Sequence, residues 1–163
     1  MKITVFAFGK VKTPGLRLAI DYYLKLTSTW VKIKEHELKP IKILNKNQKI
    51  VIQKQEEEIL TQVISKHISA RKKIFLLDEL GIPKTTLKWS ETFKAAQDQG
   101  IEDVVFCIGS SLGFSAQLKK NTDGLISFGP QTLPHELARV VLCEQIFRGL
   151  SVLKNHPYHN EGE

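Results

Sequence analysis

The sequence predicts an α/β domain built on a mostly parallel sheet with helices on both faces. Short apolar runs alternate along the chain with segments in which apolar residues recur at helical spacing. Two of the runs, 74–77 and 104–108, are apolar throughout, which is typical of strands covered on both faces. Strands that alternate with helices in this way indicate parallel βαβ units.

The first half of the chain predicts two strands and two helices. An apolar run over 3–8 predicts the first strand, and apolar residues at helical spacing predict a helix over 16–27. Alternating residues predict a second strand over 31–38. The basic stretch 39–49 has no periodicity and is expected to be a loop, and the apolar stripe that follows predicts a helix over 52–67.

The next elements are more sharply marked. The run 74–78 predicts a central strand, and Gly81 and Pro83 then predict a loop. A helix over 89–99 is expected to end at Gly100, since glycine is a common C-terminal stop.

The last third predicts two more strands and a long final helix. The run 104–108 predicts a buried strand, 115–120 a short helix and 124–128 the last strand. Pro134 is a favoured first helical residue, so the final helix is expected to run from Pro134 to about residue 154, before a polar tail.

The composition is that of one globular domain over residues 1–163. Hydrophobic residues make up 42% of the chain and charged residues 25%, which excludes a disordered protein. Cys107 and Cys143 lie in apolar runs, which fits a reducing compartment rather than a disulfide framework. The longest uncharged stretch, 104–118, is too short and polar to span a bilayer. Since the N-terminus also resembles a first strand rather than a signal peptide, we expect a cytoplasmic protein with no membrane segment.

The charge balance is moderately basic. Lys and Arg number 24 against 17 Asp and Glu, a formal net charge of +7, and Lys-rich stretches lie at 10–12, 39–49 and 71–73. Such stretches are usually solvated surface, but with this net charge they permit contacts with the phosphates of a nucleic acid.

Three predicted loops form the candidate ligand crevice. In a parallel sheet the crevice lies beyond the carboxyl ends of the strands. The loops at that edge follow Asp78 or span 109–113 and 129–133, and their glycines allow the backbone to approach a ligand closely.

Residues 109–113 also match the G-x-S-x-G pattern of a hydrolase nucleophile elbow. Ser111 would be the nucleophile, and Asp123 and His135 follow in the chain order of that fold. However, the hydrolase fold needs a larger sheet, His135 begins a long helix, and Asp123 precedes a strand. We therefore favour a tight strand-to-helix turn over esterase chemistry.

Motifs for metals and nucleotides are weak or absent. His156 and His159 lie three residues apart, but Pro157 between them prevents a helix and no Cys or carboxylate cluster is near. The sequence contains neither a P-loop nor a dinucleotide-binding glycine motif. No metal site is therefore expected.

The C-terminal third carries a specific family resemblance. Its segments are TLPH at 132–135, RVVLCEQIFR at 139–148 and NHPYH at 155–159, and the segments 1–10 and 77–81 agree with them. Over the whole chain the sequence resembles the RlmH-type pseudouridine N3-methyltransferases of the large ribosomal subunit. These are small members of the SPOUT, or trefoil-knot, methyltransferase superfamily.

The resemblance implies an α/β fold with a deep C-terminal knot, whose loops bind S-adenosylmethionine. Such threading could not be inferred from periodicity, because knotted folds are very rare. The positions that match the family's cofactor-binding residues are Leu77, Gly109, Phe128, Gly129, Pro130, Gln131, Thr132 and Leu133. These positions lie in the three loops that the strand ends had already singled out.

The resemblance further implies a homodimer in which each site is completed by the partner's C-terminal tail. Tyr158 and His159 would reach the substrate across the interface, and His135 and Arg139 would line the pocket. Methylation of the ring nitrogen N3 requires loss of its proton. On this hypothesis Arg139 stabilises charge on the uracil ring and His159 or His135 assists proton removal, while an anchoring role for Tyr158 and a helix-end role for His135 remain alternatives.

One motif departs from the family pattern, which usually has two adjacent glycines at the second loop. Here Ser110 stands in place of the second glycine, followed by Ser111 and Leu112. A non-glycine residue is expected to be strained there if its φ is positive, unless its hydroxyl compensates by hydrogen bonding.

The functional hypothesis that the resemblance implies is N3 methylation of a pseudouridine in large-subunit ribosomal RNA, on the assembled ribosome. The alternatives are a knotted RNA- or ribosome-binding protein with weakened affinity for the methyl donor and, less favoured, a serine hydrolase.

Overall fold

The computed structural model describes residues 1–158. Its five strands are β1 (Lys2–Phe8), β2 (Lys32–Leu38), β3 (Lys72–Pro83), β4 (Asp103–Ile108) and β5 (Gly124–Ser127). Its helices are α1 (Pro14–Thr27), α2 (Lys49–His67), α3 (Thr86–Asp98), α4 (Ala116–Lys120) and α5 (His135–Leu153), with a 3₁₀ turn at Lys46–Gln48. Every predicted strand and helix is present, and most boundaries differ from the prediction by one to three residues.

The five strands form one sheet in the order β2-β1-β4-β3-β5, and every neighbouring pair is parallel. Because every pair is parallel, the carboxyl ends of all strands meet at one edge. The predicted α/β fold with a parallel sheet is thereby confirmed.

Helices cover both faces of the sheet, as predicted. Alternate residues of β1 and β4 pack against α3 and α5 on one face, where Trp89 and Leu142 are buried. The other residues of these strands pack against α2 and α4, where Leu60 and Leu118 are buried. Helix α5 also packs along α1, so that three helices lie on the first face.

Strand β3 is longer than the sequence predicts. It continues to Pro83, and its pairing with β5 shifts register between Leu77 and Ile82. The prediction of a loop at Gly81 and Pro83 is therefore wrong. A Cβ at Gly81 would lie 2.7 Å from backbone atoms of Ile126, so the glycine permits the close approach of the two strands.

Helix boundaries follow the local chemistry. Gly100 has φ +65° and ends α3 as expected. Pro134 is the N-cap residue of α5 rather than its first helical residue. Thr85 caps α3, because its side chain accepts a hydrogen bond from Lys88 N.

Candidate functional site

A cleft of about 720 Å³ opens at the carboxyl edge of the sheet. It lies between the ends of β3, β4 and β5, and its rim includes the start of α5 and Lys49 and Gln53 of α2. Its size is that of a pocket for a small organic ligand or cofactor. The crevice thus occurs where the parallel strand order predicts it.

The structure brings together six of the eight residues that we expect to bind the cofactor. Those that line the cleft are Leu77, Gly109, Phe128, Gln131, Thr132 and Leu133. Gly129 instead lines a smaller groove beside Trp89, and Pro130 is exposed. Leu77 lies within β3 and Phe128 directly follows β5, and the other six lie in the predicted loops 109–113 and 129–133.

The cleft has an apolar floor and polar walls. Ile108 and Ile126 are almost fully buried at its base. On the walls, Lys119 Nζ lies 2.6 Å from Asp78 Oδ2, and the Thr132 hydroxyl donates a 2.7 Å hydrogen bond to Glu79 Oε2. Such a cleft can take a flat apolar group on its floor and hydrogen-bond polar groups along its walls.

The second strand-end loop, residues 109–115, is tightly folded. Gly113 has φ +67°, and a Cβ on Gly109 would lie 3.3 Å from Gly113 Cα. Ser110 does not have a positive φ, so the strain expected from serine at this position is absent. Its hydroxyl donates a 2.7 Å hydrogen bond to Glu56 Oε2, which supports the expectation that hydrogen bonding compensates for the missing glycine.

His135 lines the cleft and packs against the turn that follows β1. A Cβ on Gly9 would lie 2.9 Å from His135 Nε2, and Gly9 has φ +95°, so only glycine fits this turn without strain. The next residue, Glu136, accepts a hydrogen bond of 3.1 Å from Thr13 N. The first turn of α5 is thus held against the β1–α1 loop, and the imidazole is half-buried at the mouth of the cleft.

Arg139 is fully buried and faces away from the cleft. Its Nη1 lies 3.0 Å from Glu35 Oε1 and 2.8 Å from Glu37 Oε1, and its Nη2 donates a 2.8 Å hydrogen bond to Gly9 O. Burial acts to raise the pKa of Glu37, but the hydrogen bond from Val11 N and the ion pair with Arg139 hold it below its ordinary value. This arrangement does not fit the direct contact with the substrate expected of Arg139.

Tyr158 contacts its own chain at the far end of α5. The Phe147 ring lies 4.6 Å away between centroids, the Arg148 guanidinium lies 4.9 Å from its ring, and its hydroxyl lies 3.3 Å from Glu144 Oε1. Burial and the hydrogen bond to Tyr23 raise the pKa of this phenol. The contacts with 144–148 lie about 14 Å or more along the helix from His135. His159 lies outside the described residues.

The hydrolase triad is not assembled. Asp123 precedes β5 and therefore lies at the edge of the sheet opposite the cleft, where its carboxylate accepts a hydrogen bond from Ile74 N. Ser111 and His135 are on the cleft side. Asp123 is thus separated from Ser111 and His135 by the length of a strand.

The described residues were also searched for a metal-binding cluster and for a membrane-spanning helix. Within residues 1–158 no three His, Cys, Asp or Glu side chains are grouped so that they could hold a metal ion. A membrane-crossing helix was sought in the same part of the chain, and none there is both long and apolar enough.

Sequence reasoning missed the carboxylates that bind Arg139 and Ser110. Glu35 and Glu37 share a face of β2 with Ile33, and acids on an apolar face signal a buried ion pair. Glu56 falls between Ile52 and Leu60 at four-residue spacing, which places it on the buried stripe of α2. Both signals were available in the periodicity.

Comparison with known proteins defines the class of this chain. A family model described as "Predicted SPOUT methyltransferase" matches residues 1–159. The chain therefore belongs to the SPOUT methyltransferase family, and membership implies the C-terminal knot that the resemblance predicts.

Relatives of similar length carry a more particular name. The chain is 32% identical over 161 residues to a Flavobacterium johnsoniae protein named Ribosomal RNA large subunit methyltransferase H, covering 99% of this chain and 100% of that one. It is 37% identical to the Streptococcus gordonii protein of the same name, covering 98% and 99%.

Solved structures agree on the fold. A Bacillus anthracis protein regarded as an RNA methyltransferase matches with a TM-score of 0.54 at 14% identity, covering 99% of both chains. A Neisseria gonorrhoeae protein assigned to a methylase family matches with a TM-score of 0.51 at 11% identity, covering 99% of this chain and 87% of that one.

Proposed function

We propose that this chain transfers a methyl group from S-adenosylmethionine to N3 of a pseudouridine in large-subunit ribosomal RNA. The observation that carries the proposal is the cleft formed by the three strand-end loops, with His135 at its mouth, in a chain that matches ribosomal RNA methyltransferases over nearly its full length.

The cleft fits the methyl donor. Ile108 and Ile126 offer an apolar surface for the adenine, and the backbone around Gly109 and Gly113 is open to close approach. Asp78 and Glu79 supply carboxylates that suit the hydroxyls and positive charges of the donor. When bound, S-adenosylmethionine supplies a methyl group on a positively charged sulfur.

The residues around the cleft fit the acceptor chemistry. Methyl transfer to a ring nitrogen depends mainly on proximity and alignment, which rigid loop ends provide. His135 accepts the N3 proton in this proposal, since an imidazole nitrogen at the cleft mouth can act as a general base. Arg139 acts as a positioning residue, because it donates a hydrogen bond to the carbonyl of Gly9, the residue against which the His135 ring packs.

A basic rim beside the cleft suits the RNA backbone. We use "basic rim" for Lys10, Lys12, Lys39 and Lys42, which are exposed in the loops after β1 and β2 at the cleft edge. The third Lys-rich stretch, 71–73, begins β3 at the opposite edge and takes no part in this rim. A rim of four lysines is modest for free RNA, so the proposed substrate is the assembled ribosome in the cytoplasm.

The proposal includes a homodimer. Tyr158 lies at the far end of α5 from its own cleft, so a tail that completes a site would complete that of a second copy. Tyr158 and His159 would then contact the substrate bound to the partner.

The test is methylation of ribosomal RNA from a strain that lacks this gene. The purified protein with S-adenosylmethionine should add one methyl group to a pseudouridine in 70S ribosomes, located by mass mapping. His135→Ala should lower the rate at least 100-fold while binding of the donor, measured by calorimetry, changes little. Absence of donor binding at millimolar concentration would instead favour the RNA-binding alternative.

A further inference from the structure

We infer that two residues of helix α2, Glu56 and Gln53, position the second strand-end loop for the methyl donor. Within the loop, Ser110 is the residue whose side chain contacts Glu56. The inference rests on the proposed function for the identity of the ligand. It assigns a role to a buried carboxylate that the reaction itself does not use.

Glu56 joins two segments at the cleft edge. Its side chain is almost fully buried, with a relative exposure of 4%. Oε2 accepts the 2.7 Å hydrogen bond from the Ser110 hydroxyl, and Oε1 accepts one of 3.1 Å from Ile41 N. A buried carboxylate is costly unless it is hydrogen-bonded, so these two donors are required to keep Glu56 in place.

Gln53 holds the same loop one helical turn earlier. Its Nε2 donates hydrogen bonds of 2.8 Å to Leu112 O and 3.2 Å to Phe114 O. Further along, the hydroxyl of Ser115 donates to the Glu57 carboxylate. Three successive contacts along one helix thus fix a loop whose residues 109–114 line the cleft.

The Ser110 contact is available only because this chain lacks glycine there. A glycine would have no hydroxyl to satisfy Glu56, and the loop would keep only its contacts with Gln53 and Glu57 of α2. Ser110 Oγ also accepts a hydrogen bond of 3.3 Å from Leu112 N, which ties the turn to itself. The serine thus links the loop to α2 and stabilises the loop's own conformation.

The neighbouring serine provides a matched control. Ser111 is exposed, and within residues 1–158 its hydroxyl has no hydrogen bond to another residue. Ser111→Ala removes the same atom from the same loop without touching α2, and it should leave loop protection unchanged. Because Ser111 lines the cleft, the control for donor binding is Glu58→Met, at an exposed residue of α2 outside the cleft lining.

The experiment measures the loop with and without S-adenosylmethionine. Ser110→Ala and Glu56→Met should each raise the Kd for the donor about tenfold by calorimetry, whereas Glu58→Met should leave it unchanged. The double variant Ser110→Ala, Glu56→Met should bind no more weakly than the weaker single variant, because both remove the same contact. Without donor, amides of 110–115 should exchange faster in Ser110→Ala than in Ser111→Ala. At saturating donor the methylation rate of Glu56→Met, whose residue does not line the cleft, should stay within twofold of wild type.

Two outcomes are distinguished by these measurements. Donor affinities within twofold of wild type for Ser110→Ala and Glu56→Met, or an equally weakened affinity in Glu58→Met, would overturn the inference. If the wild-type protein bound no donor, the proposed function would fail, and unchanged exchange of 110–115 in Ser110→Ala would independently overturn the positioning role.

Discussion

The guanidinium of Arg139 donates a 2.8 Å hydrogen bond to the carbonyl of Gly9, across 130 residues of sequence. Gly9 in turn lies against the His135 ring. One buried cation thereby connects the end of β1, two carboxylates of β2 and the first turn of α5. The position of the base proposed for the reaction therefore depends on a buried ion pair as well as on the exposed hydrogen bond between Glu136 and Thr13 N.

Removing this cation should cost far more than removing an exposed one on the same helix. Arg139→Met removes the buried partner of Glu35 and Glu37 and leaves them the half-buried Arg17, whose Nη2 lies 2.7 Å from Glu35 Oε2. The free energy of unfolding should therefore fall by about 3 kcal/mol. Arg148→Met breaks a half-exposed pair with Glu144 and should cost about 1 kcal/mol or less. Urea unfolding measures both values. Equal destabilisation would contradict the interpretation that the buried ion pair of Arg139 contributes more to stability than an exposed pair does.

Two helical glycines should respond oppositely to alanine. A Cβ on Gly149 would lie 2.8 Å from Trp89 Cβ and 3.0 Å from Phe93, so Gly149→Ala should destabilise the protein by about 1–3 kcal/mol despite better helix propensity. At Gly15 nothing lies within 4 Å of a new Cβ, and Gly15→Ala should stabilise by about 0.5 kcal/mol. Thermal unfolding that shifts in the same direction for both would contradict this packing.

His36 should make the protein less stable as the pH falls below about 6.5. Its ring stacks on Phe6 at 5.1 Å and on His67 at 5.8 Å. Burial first, then the charges of His67 and Lys34, lower its pKa, outweighing Glu35. The unfolded chain therefore binds the proton more readily, and stability is lost as pH falls from the ordinary histidine pKa through the folded value.

The variants His36→Phe and His67→Gln isolate this effect. Unfolding free energy measured between pH 7.5 and 5 should flatten in His36→Phe, and it should fall less steeply than wild type in His67→Gln. A wild-type slope in His36→Phe would assign the acid sensitivity to other groups.

The basic rim should control RNA affinity through salt. Lys39→Gln with Lys42→Gln removes two exposed charges at the cleft edge, so the affinity for ribosomal RNA should fall. The slope of its salt dependence should lessen by about one for each phosphate that these lysines neutralise. Lys25→Gln with Lys66→Gln removes two charges from the last turns of α1 and α2, at the other edge, and serves as the control. An equal fall in affinity for both pairs would indicate non-specific attraction.

The sequence predicted the sheet and the place of the cleft because both depend on local pattern. Apolar runs over 74–77 and 104–108 predicted buried strands, and glycines at their ends predicted the ligand edge. The extension of β3 through Gly81 was missed, because only the neighbouring β5 strand makes extended backbone favourable there.

The role of Arg139 could not be derived from its place in a motif. From the segment 139–148 alone, an arginine that contacts the substrate and an arginine that pairs with buried carboxylates look the same. The choice depends on which side of α5 meets β2, and that side is set by packing over more than 100 residues of separation. Periodicity marks the two acids of β2 as sharing an apolar face, but it does not identify the distant cation that pairs with them.

The shared site of the proposed dimer predicts activity in a mixture of two inactive variants. His135→Ala should be inactive because its own cleft lacks the base, and a chain ending at residue 154 should be inactive because it cannot complete its partner's cleft. In a mixed dimer, however, the truncated chain keeps an intact cleft and receives the tail of the His135→Ala chain. Random mixing after mild unfolding should therefore restore about a quarter of the wild-type rate, since half the dimers are mixed and each has one working site. A mixture that stays inactive, although light scattering shows that mixed dimers form, would mean that the tail serves the cleft of its own chain.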